Sequence, residues 1–223
     1  MKRILSFFLT LVLTAPLLCP AALAVNETAA KDRDWVYITL DPGHGGDGAG
    51  GNDSGAVNEK YGYQEADLVL KIGLYLKEEL ETYRNVHVDM TRSDSYGTRY
   101  TPLREVKQRV DFAAEKCSDL LVSLHLNSAG SNQSVHGGLI LASNGNYDPD
   151  CAKVIDAVGT NILAQLSRLG IDTSRGLVKE GSHDGTRYPN GKLADYYGIV
   201  RYGQLRHIPA MIAFVIYLIA GNA

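Results

Sequence analysis

The most informative stretch of this chain is a short apolar strand that runs into a glycine-rich loop. Residues 35–46 read WVYITLDPGHGG, and residues 35–40 are apolar at nearly every position. An apolar run bounded by Pro and Gly predicts a buried strand that ends at about Leu40. His44 follows that end, and binding sites in open α/β sheets form beyond the carboxyl ends of strands. His44 is therefore the first candidate for a functional side chain.

Two further residues complete a metal-binding pattern. His125 lies near the end of a second apolar strand, predicted over residues 119–127, and Glu65 begins an amphipathic helix predicted over residues 65–83. Two His and one Glu form a known catalytic zinc ligand set, which leaves a fourth position open for water. His44, Glu65 and His125 are thus predicted to hold Zn²⁺, which would supply a nucleophile and a Lewis acid.

Each of these residues, taken alone, has an ordinary structural explanation. His44 would be a loop histidine, His125 a hydrogen-bonded residue at the edge of the core, and Glu65 a carboxylate that favours a helix N-terminus. A competing dinucleotide fingerprint, GxGxxG at residues 43–48, fails on context, because residues 49–62 stay rich in Gly, Asn and Asp and open no helix. Only the combination indicates a metal.

Strands that alternate with helices predict the fold class. The remaining strands are predicted at residues 86–91, 137–142 and 208–220, and the remaining helices at 102–116, 148–169 and 192–204. This alternation predicts an α/β fold: a single domain with a mostly parallel twisted sheet flanked by helices, assigned to residues 35–223.

The N-terminus has the pattern of a secretory signal. Two basic residues precede an apolar run over residues 4–18, and the small-x-small sequence Ala-Leu-Ala follows at residues 22–24. We predict a signal peptide over residues 1–24 and a flexible mature N-terminus over residues 25–34. A transmembrane anchor is the alternative, but the run is short for a span. The mature protein is expected to be secreted, to the cell wall or periplasm.

Composition bears on partners and cysteine chemistry. The chain has 223 residues, which is enough for one domain with a sizeable core. Its formal net charge of −3 does not suggest a nucleic-acid partner.

Cys117 and Cys151 belong to no CxxC or metal-spacing motif, and a buried small residue is the simpler interpretation of Cys117. We expect a monomer with no nucleic-acid partner and no membrane span in the mature chain.

The motifs around the candidate ligands resemble one enzyme family. DPGHGG at residues 41–46, a Glu about twenty residues later, Thr91-Arg92, and SLHLN at residues 123–127 occur in the order typical of zinc-dependent N-acetylmuramoyl-L-alanine amidases. The resemblance covers about residues 36–210. It implies a peptidoglycan hydrolase that uses zinc-activated water to cleave the amide bond between N-acetylmuramic acid and the L-alanine of the stem peptide.

Three charged residues fit supporting roles in such a site. Asp41 is expected to anchor the turn after the first strand or to orient a ligand. Arg92 matches the Thr-Arg motif of the family. Arg109 either matches a structural arginine of the family or is a solvated surface charge.

One departure from the family pattern concerns the general base. Family members carry a catalytic Glu in the last strand, in a pattern like P-A-[VMI]-[LI]-[VI]-E, where this chain has Phe214. No Asp or Glu follows Asp195, and Glu180, in a glycine-bounded loop, is the candidate substitute. Because the match stops after Ile212, two alternatives stay open: a catalytically impaired zinc- and peptidoglycan-binding protein of the same fold, or a frame error or truncation. A secreted zinc peptidase, which would act on peptides without muramic acid, is a further alternative.

Overall fold

The computed structural model of the chain describes residues 34–45, 47–48, 51–93, 106–127 and 136–217. The predicted signal peptide lies outside these residues, as does the predicted mature N-terminus except for its last residue. None of the helices within the described ranges combines the length and the apolar composition that a membrane span requires.

A six-stranded sheet forms the centre of the fold. Its strands, in order across the sheet, are β6 (Val86–Met90), β1 (Val36–Pro42), β7 (Leu120–Asn127), β10 (Ala210–Tyr217), β8 (Leu139–Ala142) and β9 (Leu177–Lys179). All neighbouring pairs are parallel except β10 with β8. The predicted α/β class with a mostly parallel sheet is therefore confirmed.

Helices cover both faces of this sheet. Those described are α1 (Glu65–Leu80), α2 (Val106–Glu115), α3 (Pro149–Arg168) and α4 (Gly198–Leu205). Side chains alternate along β7, so Val122 packs in a core cluster with α1 and α3, whereas Leu121 packs in a second cluster with α2 and α4. The central strands are consequently buried on both faces, which explains their nearly continuous apolar sequences.

Several element ends shift by two or three residues, such as that of α1 at Leu80 instead of residue 83, and two segments differ more. The glycine-rich segment before α1 contains two short hairpins, β2–β3 (Asp47–Gly48 and Gly51–Asn52) and β4–β5 (Val57–Asn58 and Tyr63–Gln64). The helix predicted from residue 192 begins only at Gly198, because Leu193 and Asp195 form antiparallel bridges with Arg187 and Gly181. Neither Cys117 nor Cys151 is in a disulfide in the described part of the chain.

A buried carboxylate joins the elements at one end of the sheet. Asp41, the sixth residue of β1, accepts hydrogen bonds from Thr91 Oγ1 and Ser123 Oγ, both at 2.6 Å, and pairs with Arg109 Nη1 at 2.7 Å. Arg109 is buried, so the interpretation of this residue as a solvated surface charge is wrong.

The environment of Asp41 keeps its carboxyl ionised. Burial alone would raise the pKa, but Arg109 and the two hydroxyl donors outweigh it and hold the pKa of Asp41 below its usual value. A lowered pKa in the folded state means that ionised Asp41 stabilises the fold above about pH 4, its unfolded pKa. That contribution is lost as the pH falls through the folded-state value.

Asp41→Asn should lower the free energy of unfolding by about 3–5 kcal/mol, because it leaves the buried Arg109 without its carboxylate partner. Urea unfolding at pH 7 measures this change. Asp111→Asn is the matched control, since Asp111 pairs with Lys107 and Arg206 at the surface and should cost less than about 1 kcal/mol. Equal losses in the two variants would contradict the role given to Asp41.

Candidate metal centre

The three predicted ligands come from separate elements and meet at one end of the sheet. His44 follows β1, His125 lies in β7, and Glu65 is the first residue of α1. Because β1 and β7 are parallel neighbours, their carboxyl ends lie side by side. The potential ligand atoms of the three side chains all lie within 4.8 Å of one another.

Glu65 lies at the centre of this cluster. Its Oε1 is 3.1 Å from His44 Nε2 and 3.0 Å from His125 Nδ1, and it also accepts a 2.8 Å hydrogen bond from the amide of Leu126. Its Oε2 accepts a 2.9 Å bond from the amide of Ala56. Burial opposes ionisation of this carboxyl, but the contacts with the two histidines and the two amides hold its pKa well below its usual range. The cluster thus contains a fixed negative charge.

His44 is oriented by a carboxylate on its far side. Asp53 Oδ1 lies 3.0 Å from His44 Nδ1 and accepts its hydrogen bond, which favours the tautomer with the proton on Nδ1 and leaves the lone pair of Nε2 on the side of Glu65. Burial disfavours the charged imidazole, but Glu65 and Asp53 together raise the pKa of His44. Asp53 was not identified from the sequence, because an Asp in a glycine-rich segment is typical of a turn and only the folded loop brings it to the ring.

Two glycines allow this close packing. A Cβ on Gly43 would lie 2.3 Å from His125 Cε1, and a Cβ on Gly55 would lie 2.7 Å from Glu65 Oε2. No real Cβ atom makes contacts this short, so the loop backbone lies directly against the imidazole and the carboxylate. His44 itself has φ of 57°, a left-handed conformation that is uncommon for residues other than glycine.

This donor set fits a transition-metal ion. Two imidazole nitrogens and one carboxylate oxygen are the ligands of open zinc sites, and they suit zinc better than calcium or magnesium, which prefer oxygen alone. Among the described residues, this is the one group of His, Cys, Asp or Glu whose ligand atoms converge in this way. His44, Glu65 and His125 can therefore hold a metal ion.

Phe214 stands beside the cluster. It lies in β10 and is paired in register with His125 of the neighbouring strand β7. Residues level with each other on adjacent strands point to the same side of the sheet, and the two ring centroids are 5.8 Å apart. Position 214 is thus next to the candidate ligands, but its side chain can neither accept nor donate a proton.

Glu180 is not brought to this end of the sheet. It follows Lys179, the last residue of β9, which pairs with Ala142 at one end of β8. Phe214 pairs with Leu139 at the other end of β8. The strand order separates β9 from β7 by three positions, about 14 Å at the usual strand spacing. The Glu180 carboxylate instead lies 2.7 Å from His183 Nε2.

Comparison with protein families gives one assignment for most of the chain. The family model described as N-acetylmuramoyl-L-alanine amidase matches residues 38–216. Among curated relatives, the N-acetylmuramoyl-L-alanine amidase AmiC of Escherichia coli O6:H1 is 35% identical over 127 residues, which is 57% of this chain and 27% of AmiC. The chain spans only 27% and 34% of the length of the two curated relatives compared.

Solved structures of such amidases share this fold. The N-acetylmuramoyl-L-alanine amidase from Clostridium difficile 630 superposes with a TM-score of 0.59 at 22% identity, over 82% of this chain and 81% of that chain. AmiC2 of Nostoc punctiforme gives a TM-score of 0.57 at 24% identity, over 82% and 79%. At this level of identity the likeness shows the fold alone.

Gly43→Ala should displace the His125 ring and weaken metal binding, because the added methyl group would overlap the imidazole. Gly181→Ala is the matched control, since its methyl group would meet only the tip of the Leu193 side chain, which can move. Metal content after equilibration with a limiting metal buffer measures the effect. Equal metal content in the two variants would show that the ring tolerates the methyl group.

Proposed function

The chain belongs to the N-acetylmuramoyl-L-alanine amidase family, and from this premise we propose that it acts on peptidoglycan outside the cytoplasm. The bond concerned joins N-acetylmuramic acid to the L-alanine of the stem peptide. The observation that carries the proposal is the convergence of His44, Glu65 and His125, all within the residues that the family model matches. The secretory pattern at the N-terminus supports the location.

Zinc is the metal that we propose for this cluster. When bound by two His and one carboxylate, zinc polarises a scissile carbonyl and lowers the pKa of a water molecule to about 7. The protein's own contribution is electrostatic and geometric. The ionised Glu65 offsets the charge of a cation, and the contact of Asp53 with His44 Nδ1 keeps Nε2 available as a ligand.

Proton transfer is the step for which we find no general base among the described residues. Amide hydrolysis needs a base that takes a proton from the attacking water and delivers it to the leaving nitrogen. The family resemblance implies that this base is a Glu at position 214, where this chain has Phe214 next to His125, and Glu180 is engaged with His183 at the far end of the sheet. We therefore propose that this chain hydrolyses peptidoglycan slowly. A catalytically impaired zinc- and peptidoglycan-binding protein is the second candidate function, and Phe214 favours it.

The chain should bind one zinc ion, and His125→Ala should bind much less, because two ligands are too few to retain it against dialysis. His87→Ala is the matched control, since His87 is exposed on β6 and contacts Asp89 instead of the cluster. Elemental analysis of dialysed protein gives the stoichiometry. Unchanged zinc in His125→Ala would rule out the assignment.

Removal of the metal with a chelator should leave the far-UV circular dichroism spectrum of the protein unchanged, because the core does not depend on the metal.

Phe214→Glu should increase amidase activity, by up to the roughly 10²–10⁴-fold that a general base contributes, because it places a carboxylate beside His125. Phe214→Gln is the control, with similar size and no titratable group. The measurement is the appearance of new N-terminal alanine in purified peptidoglycan. Rapid release by the unmodified chain would show that another residue serves as the base. Cleavage of peptides without muramic acid would instead indicate a peptidase.

A further inference from the structure

Two buried arginines lie behind the candidate ligands and contact the backbone that carries them. Arg92, just after β6, is 6% exposed, and Arg109, near the start of α2, is 9% exposed. Both donate hydrogen bonds to carbonyl oxygens of the segment that leads from β1 to His44. Arg92 also contacts the segment that carries Glu65, whereas the hydrogen bonds described for Arg109 stay on the His44 side.

Arg92 joins the two segments that carry two different ligands. Its Nη2 donates to the carbonyl oxygen of Gly43 at 2.8 Å and to that of Ala66 at 2.7 Å. Gly43 immediately precedes His44, and Ala66 immediately follows Glu65. A single nitrogen atom therefore spans the β1 loop and the first turn of α1, one residue away from each ligand.

Arg109 holds only the loop side of this arrangement. Its Nη2 donates to the carbonyl oxygen of His44 at 3.2 Å, and its Nη1 donates to that of Pro42 at 3.3 Å while pairing with Asp41. Arg92 Nε shares the Pro42 oxygen at 2.9 Å. None of the hydrogen bonds described for Arg109 reaches α1, so of the two arginines it is Arg92 that links the two ligand-bearing segments directly.

The geometry suits a guanidinium and not an ammonium group. Arginine presents five N–H donors in a rigid planar fork, whereas lysine concentrates three donors on one atom at the end of a flexible chain. Lysine can therefore not serve the Pro42, Gly43 and Ala66 oxygens in the same arrangement. The left-handed backbone of His44 adds a further demand, because such a conformation persists only where surrounding contacts fix it.

We propose that Arg92 is a positioning residue that sets the separation of His44 and Glu65 and thereby the affinity of the cluster for metal. The inference rests on the proposed function, because it takes the cluster to be a zinc site. Residues that orient metal ligands from behind are typically worth about 10–100-fold in metal affinity. Arg92 acts through the backbone carbonyls of Gly43 and Ala66.

The test compares zinc affinity with fold stability in the full chain carrying Arg92→Lys. The matched control is Arg206→Lys, since Arg206 also loses a two-nitrogen contact, to Asp111, away from the cluster. Competition with a chromophoric chelator gives the Zn²⁺ dissociation constant, and urea unfolding of the metal-free protein gives its stability. The visible absorption of the Co²⁺-loaded protein reports ligand geometry independently of affinity.

Arg92→Lys should bind Zn²⁺ about 10–100-fold more weakly and show an altered Co²⁺ spectrum, whereas Arg206→Lys should match the wild type in both. Wild-type zinc affinity and an unaltered Co²⁺ spectrum in a folded Arg92→Lys protein would overturn the inference, whatever its stability. If the lysine variant does not fold, Arg92→Gln is measured against the same expectation. A wild-type chain that bound neither ion would overturn the proposed function and this inference with it.

Discussion

The buried ion pair between Asp41 and Arg109 is the interaction on which the site end of the molecule depends. A buried carboxylate is stable only when its oxygens are fully partnered, so Arg109, Thr91 and Ser123 must all be in place together. These partners come from α2, the end of β6 and β7. The loop that carries His44 begins after Pro42, the residue next to Asp41, and its position is therefore set by the same contacts.

The fold and the three clustered residues could be predicted from the sequence for a physical reason. Apolar runs gave the strands, and their alternation with helices implied a parallel sheet. In such a sheet strand ends converge, so His44 and His125 could be expected together before any distance was known. Glu65 followed from the resemblance and from its place at the start of an amphipathic helix. The predicted signal peptide and monomeric state concern properties that these contacts do not test, and they stay predictions.

Other parts of the site could not be predicted, because they depend on contacts between distant residues. Arg109 has the sequence appearance of a surface helix charge, and its burial is stable only because Asp41 lies opposite it in the folded chain, 68 residues away in sequence. Asp53 lies in a segment without hydrophobic periodicity, so nothing in the pattern distinguishes it from a turn residue. The place of Phe214 beside His125 depends on the register of β10 against β7, which a list of strands does not specify.

The position of the ligands in the sheet also has a consequence for motion. β1 and β7 are interior strands with paired neighbours on both sides, and such strands exchange their amide protons only in openings close to global unfolding. Ala56, whose amide holds Glu65 Oε2, directly precedes the two-stranded β4–β5 hairpin, where opening requires far less free energy. Glu65 therefore joins the interior of the sheet to a two-stranded hairpin at its edge. We expect fluctuations of that hairpin, more than of the sheet, to expose the carboxylate of Glu65, the buried member of the cluster.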